Sequence, residues 1–310
     1  MKKLKGGGRV VKAQATTTSR TQITAEQQLR HHTALDVAFG ELSARNNDPR
    51  RLLPFDKVSE FFVWNWDEMC YVACDGVVKV VASAEKKKTE KNSDDCRDSI
   101  TAGRFGNAAG DQGAYFFLAK GKSLNEWKKI SDVEKHFHAP PHSEVIMTPN
   151  AYMTDEVWAA IVPKMCKSIR DNEIVKQYPH WWVLLSLDGF TSHIHTKGMQ
   201  DIFVQHKILI FKEEGDSSHI IQPYDQQVAR RDKIEVRKIC DQMRPVFGKT
   251  FSQWHLIAIA IEAQNKVPKE VWVQSFIRVN MHPKFRVSFK DWLDQLKERG
   301  VLSSAKFFKE

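Results

Sequence analysis

A chain of 310 residues, 42% of them hydrophobic and nine of them tryptophan, is long enough to bury a substantial core in one large domain or two small ones. Its 47 Lys and Arg against 38 Asp and Glu leave a net charge of +9, a modest excess that suits a polyanionic partner without demanding one. The five cysteines lack the two-residue spacing of a zinc knuckle or redox pair, and no apolar run approaches the roughly 20 residues of a bilayer span, so a soluble intracellular protein with no membrane partner is expected.

Residues 1 to about 25 carry Lys2, Lys3, Lys5, Arg9, Lys12 and Arg20 with no acid before Glu26. Together with Gly6-Gly7-Gly8 and "QATTTSRTQIT", this composition cannot bury a core and predicts a disordered tail. It is basic without an apolar stretch behind it, unlike a secretory signal. Leu35, Phe39 and Leu42 then recur at helical spacing before "NNDPRR". "FFVWNW", Phe61 to Trp66, is rich in strand formers and is expected to end at Asp67-Glu68. "CYVACDGVVKVV" reads as a hairpin turning at Asp75-Gly76, and Lys86 to Asp98 as a charged insertion. "SITAGRFGNAAGDQGAYFFLAKG" predicts two more strands around a glycine-containing turn.

"TDEVWAAIVPKMCKSI" turns helical, with Thr154 as its N-cap. Trp182 to Leu187 is a strand apolar enough to be buried on both faces, and Asp188 follows it directly. A helix near His193 to Phe203 and a strand at "HKILIFK" come next. "QPYDQQVARRDKIEVRKICDQM" predicts a helix with Pro223 and Asp225 in its first turn. From Pro245 the periodicity stays mostly helical, including Phe289, Trp292, Leu293 and Leu296. Strands first, then helices alternating with strands, imply an α/β chain with a mixed sheet flanked by helices on both faces. The expected division is a basic segment at 1–50, a sheet domain at 51–245 and a helical C-terminal extension at 246–310.

Three predicted edges carry an acid: Asp67, Asp188 and Asp225. Each alone is an ordinary cap or turn residue, so the conjunction carries the argument. If the strands ahead of Asp67 and Asp188 lie side by side, those two acids meet at one end of the sheet, and Asp225 can close the site. Three converging carboxylates repel one another and call for a hard cation, Mg²⁺ or Mn²⁺. Two such ions roughly 3.5–4 Å apart serve in-line attack on a phosphodiester.

"VWNWDEM", "LLSLDGFTSH" and "IIQPYDQQVARRDK" resemble the three acidic blocks of the DDE superfamily endonuclease domain, in the pogo/Tigger branch of mariner-type transposases related to centromere protein B. Asp67, Asp188 and Asp225 fall on that family's acid positions, with Ser192-His193 and Gln222-Pro223 where its pattern has them. The likeness covers about residues 55 to 295, and "QPYD" is its most specific piece. It implies an RNase H-like fold, metal-dependent DNA cutting and strand transfer, a DNA partner and a nuclear location, and it admits a homodimer. Family members carry an N-terminal helix-turn-helix region. The residues before Val58 are expected to hold a remnant of it, too short for sequence-specific recognition of transposon ends. Gly189 and Phe190 depart from the Asn and small residue common after the second acid.

Glu68 neighbours Asp67 but points to the opposite face of a strand, so Asp67 is the preferred ligand and Glu68 a supporting group. His193 could steady the scissile phosphate or Asp188, or simply start a helix. Arg230, Arg231, Lys233, Arg237 and Lys238 are candidates for DNA phosphate contacts, although their spacing spreads them over more than one helix face. "HFHAPPH" offers His136, His138 and His142 without a cysteine to complete a zinc pattern, and reads as a surface loop. "GKS" at 121–123 and "GKT" at 248–250 end like P-loops, but Phe116 and Met243 stand where the first glycine must be, so no nucleotide cofactor is expected. Two other functions remain open on these residues: a domesticated or decayed copy that binds DNA or protein without cutting, and an RNase H-like nuclease acting on RNA or a hybrid.

Overall fold

Side chains along β1 (Val63–Val72) alternate between two cores, and the rest of the molecule is arranged around that strand. The computed structural model describes residues 25–47, 54–72, 99–121, 138–188, 198–213, 218–247 and 251–298. The predicted tail, the turn at Asp75-Gly76, the charged insertion, His136 and His193 lie outside them. Five further strands, β2 (Ser99–Asn107), β3 (Phe116–Lys120), β4 (Glu144–Thr148), β5 (Val183–Leu187) and β6 (Ile208–Lys212), complete a sheet of order β4-β3-β2-β1-β5-β6. β1, β2 and β3 pair antiparallel, whereas β5 runs parallel to both β1 and β6, and β4 parallel to β3. The sheet is mixed, as expected. All five residues of β5 are buried, which suits a parallel strand covered on both faces.

Trp64 and Trp66 face a core shared with Phe105, Phe116, Leu185 and Leu187. It is covered by α2 (Asp155–Arg170) through Trp158, Ile161, Met165 and Ile169, and by α3 (Met199–Gln205) through Phe203. Thr154 caps α2, its hydroxyl accepting from the Val157 amide at 3.4 Å. Trp66 and Trp158 meet edge to face with centroids 5.4 Å apart, a contact worth about 1 kcal/mol beyond area burial. Val63, Met69 and Tyr71 face the other core, built with α1 (Ala25–Asn46), α4 (Ala229–Phe247), α5 (Gln253–Asn265) and α6 (Lys269–Arg278). A last helix, α7 (Phe289–Glu298), buries Trp292 and Leu296 against Ile220 and Ile221. No helix among the described residues is long and apolar enough to cross a membrane.

Two elements differ from the sequence reading. β4 has no predicted counterpart: its five residues are mostly half-buried at the sheet edge and show no alternation to detect. β1 runs on through Asp67 to Val72 because β2 pairs along its length, from Trp64 opposite Asn107 to Val72 opposite Ser99.

The second core also buries charge. The Tyr71 hydroxyl donates to Asp232 Oδ2, and Arg104 Nη2 donates to the Ala260 carbonyl at 3.1 Å. The Arg104 guanidinium lies 4.0 Å from the Tyr115 ring centre. Burial pushes the Asp232 carboxyl up to about 6, against the opposing pull of Arg104.

Candidate active site

The register of the two central parallel strands decides where the first two acids lie. Asn65 of β1 pairs with Ser186 of β5, and two residues further along each strand come Asp67 and Asp188. A step of two keeps the face, so both acids emerge on the side of Asn65 and Ser186. Asp188 is the first residue past β5, and both acids are half-buried.

The third acid arrives through hydrogen bonds to β1. The Tyr224 amide donates to Asn65 Oδ1 at 3.1 Å, and Gln222 Nε2 donates to the Trp66 carbonyl at 3.3 Å. Residues Tyr224–Val228 then form a π-helical turn that leads into α4, with Tyr224 buried and Asp225 exposed. Such wide turns are frequent at functional sites. The predicted helix is thus present, with a wider first turn than the pattern implies.

Asp67 registers the grouping electrostatically. Burial pushes its carboxyl well above the usual range, and the like charges of Asp225 and then Asp188 push it further. Glu68, on the opposite face, is raised to about 7, chiefly by burial and then by Asp188. Sequence reasoning missed a fourth acid. Glu213 follows β6 directly and is 1% exposed; burial first, then Asp67, Asp188 and Asp225, raise it well above the carboxylate range. The signal was available, because Glu213 ends an apolar strand just as Asp188 does.

A cleft of about 470 Å³ opens beside these groups, lined by Trp66, Asp67, Glu68, Tyr152, Met153, Trp158, Leu187 and Asp188. Carboxylate on one side and indole on the other give it a polar edge over an apolar floor. Of the basic candidates, Arg231 and Lys238 both pair with Glu235 at 3.0 Å, whereas Lys233 and Arg237 line a narrow groove between α4 and the end of β1. Arg230 is exposed. His142 pairs with Asp171 at 2.7 Å, away from the acids.

The donor set suits a hard divalent cation: it is all carboxylate oxygen, and positive charge would relieve the repulsion that raises Asp67. As placed, no three His, Cys, Asp or Glu among the described residues lie close enough together to enclose an ion.

A sheet of this order and pairing, covered by helices on both faces, is an RNase H-like mixed sheet. Among solved structures, the chain is similar to a pre-cleavage Mos1 transpososome, with a TM-score of 0.51 at 10% identity over 95% of this chain and 67% of that one. It is also similar to a Mos1 transposase paired-end complex with the left transposon end, at TM-score 0.49 and 11% identity over 100% of this chain and 69% of that one. A third is the catalytic domain of Mos1 mariner transposase, at TM-score 0.44 and 9% identity over 88% of this chain and 95% of that one. The fold assignment rests on the first of these, and at such identity the likeness is one of fold. No protein-family model and no curated protein matches the sequence.

Proposed function

We propose that this chain is a transposase-type DNA endonuclease of the DDE kind, in which Asp67, Asp188 and Asp225 hold divalent metal, Mg²⁺ or Mn²⁺. The observation that carries this reading is geometric: Asp67 and Asp188 each lie two residues beyond the paired Asn65 and Ser186, Asp225 follows Tyr224, whose amide is bonded to Asn65, and the charges of Asp225 and Asp188 both reach Asp67. When bound, a pair of such ions supplies Lewis acidity to the attacking and leaving oxygens of a phosphodiester displacement. The chain's own part is to hold carboxylate oxygens at the edge of the cleft and to exclude water with Trp66, Trp158 and Leu187. Arg230, Lys233 and Arg237, on the helix that follows Asp225, offer charge to phosphates without reading sequence. The pogo/Tigger affinity, homodimerisation, a nuclear site of action and the role of His193 belong to this same reading. So does the division into a basic 1–50 segment, a 51–245 nuclease domain and a 246–310 helical extension.

Nicking of supercoiled plasmid in Mg²⁺ and in Mn²⁺, with Asp188→Asn alongside, tests the proposal. Metal-dependent nicking lost in the variant is expected; nicking retained by Asp188→Asn overturns the assignment of the acids. One observation favours a second reading, a decayed copy that binds DNA without cutting: the described acids do not enclose an ion as placed. A well-folded protein that binds DNA but neither takes up Mn²⁺ nor nicks selects that alternative.

A further inference from the structure

The last registered pair of β1 and β5 is Asn65 with Ser186, so beyond it no ladder bond holds Asp67 beside Asp188. Asp67 is held by its pairing with Arg104 of β2, but Asp188 lies just past the end of β5, so two carboxylates that repel each other need a brace between β1 and β5. Glu213 meets both strands one step behind the acids. Its Oε1 accepts from Asn65 Nδ2 at 3.2 Å and from the Ser186 hydroxyl, and its own amide donates to the Leu187 carbonyl at 3.0 Å. Asn65 Nδ2 also reaches the Ser186 carbonyl at 3.4 Å, while Asn65 Oδ1 accepts from the Tyr224 amide at 3.1 Å. One buried carboxyl and one buried amide therefore tie together residues two before Asp67, two before Asp188 and one before Asp225. Asn65, Ser186 and Tyr224 are 0% exposed and Glu213 1%.

A polar knot at this depth is an expensive way to hold a sheet, since apolar side chains of similar volume fill such space at least as well. What it adds is fixed geometry between three segments that are distant in sequence. Building on the nuclease reading above, we propose that Glu213 is a positioning residue: with Asn65 and Ser186 it forms a hub that sets the spacing of Asp67, Asp188 and Asp225 without itself touching metal or DNA. Its second oxygen, Oε2, has no partner among the described residues, and its raised proton affinity agrees with a neutral acid that accepts through Oε1.

The test uses the full chain with Glu213→Leu, Glu213→Gln and Ser186→Ala, reading Mn²⁺ affinity by calorimetry and backbone hydrogen exchange without metal. Loss of a group that orients metal ligands typically weakens binding by about 10–100-fold, and that loss is expected for Glu213→Leu. Its exchange should quicken together in residues 63–67, 183–188 and 222–228, while α2 keeps its protection. Glu213→Gln keeps an acceptor at the same place and should restore both readouts. If Glu213→Leu does not fold, Ser186→Ala removes one donor and should weaken Mn²⁺ roughly 2–10-fold. Mn²⁺ affinity unchanged beside a lowered melting temperature, or exchange quickened only around residues 208–213, overturns the hub. If the wild type neither binds Mn²⁺ nor nicks plasmid, the nuclease reading fails, and the exchange pattern alone then decides for or against the hub.

Discussion

Replacing Glu68 by Gln should stabilise the metal-free protein, by an amount that grows with pH. Burial is the main reason the Glu68 carboxyl sits near 7 instead of 4.5, with the charge of Asp188 adding and the Trp66 indole, a hydrogen-bond donor, opposing. A proton held more tightly by the folded than by the unfolded chain means that ionisation weakens folding. The penalty begins above pH 4.5 and is complete above about 7. A displacement of that size corresponds to about 3 kcal/mol, and partial exposure of the side chain reduces it to roughly 1–3 kcal/mol. Gln keeps an acceptor for the indole and has no charge to desolvate. Glu68→Gln should therefore gain less than about 1 kcal/mol at pH 5 and roughly 1–3 kcal/mol at pH 8. Histidines held low by burial, such as His31 at about 3, titrate alike in both proteins and cancel in the difference. Urea unfolding followed by tryptophan fluorescence in EDTA at both pH values measures it. A gain equal at both, or larger at pH 5, would refute burial of the Glu68 charge as its source.

Asp67→Asn should melt above the wild type in EDTA at pH 8, because a carboxylate disfavoured first by burial and then by the charges of Asp225 and Asp188 is gone. Mn²⁺ at 100 times its dissociation constant should add about 2.7 kcal/mol to the wild type and nothing to that variant, which a thermal shift assay reads directly. Arg104→Met removes the positive charge that opposes the upward push on buried Asp232 and should lose about 1–3 kcal/mol at pH 8. At pH 5 the loss should shrink, since Asp232, raised to about 6, takes up a proton there; equal urea midpoint shifts at the two pH values would count against the influence of Arg104 on Asp232. Gly103→Ala would set a Cβ 2.2 Å from Trp66 Cη2 and should cost about 1–3 kcal/mol, with a shift in indole emission. An unchanged melting temperature would mean that Trp66 is free to move.

What the sequence made legible here is local. Asp188 could be found because an apolar run ends in an acid, and Asp225 because Pro223 and an acid open a helix. The mixed sheet followed from the order of elements. What stayed hidden depends on partners far along the chain. Cys70 to Val72 reads as the arm of a separate hairpin, and that β1 continues through Asp67 into it is decided by β2 more than 30 residues later. Asn65 passed as one more residue in an aromatic strand, yet its amide joins three segments. Glu213 was overlooked because it stands in the charged run "KEEGD", although it follows an apolar strand and is 1% exposed. Alternation along β4 was too weak to mark an edge strand. The sharing of Glu235 by Arg231 and Lys238 likewise emerges only once α4 is in place.

The π-helical turn at Tyr224–Val228 gives this stretch an unusual tolerance of a change in length. Deleting a single residue there would let the helix close into regular α-helical hydrogen bonding, because a π turn holds one residue more than the α turn it replaces. Residues downstream would then keep their direction relative to Gln222 and Tyr224, whose bonds to β1 fix the upstream end. Asp232 would stay with Tyr71, and only the aim of Asp225, inside the turn, would change. In descendants of this gene a one-residue gap inside "QPYDQQ" should therefore spare the fold while displacing the acid.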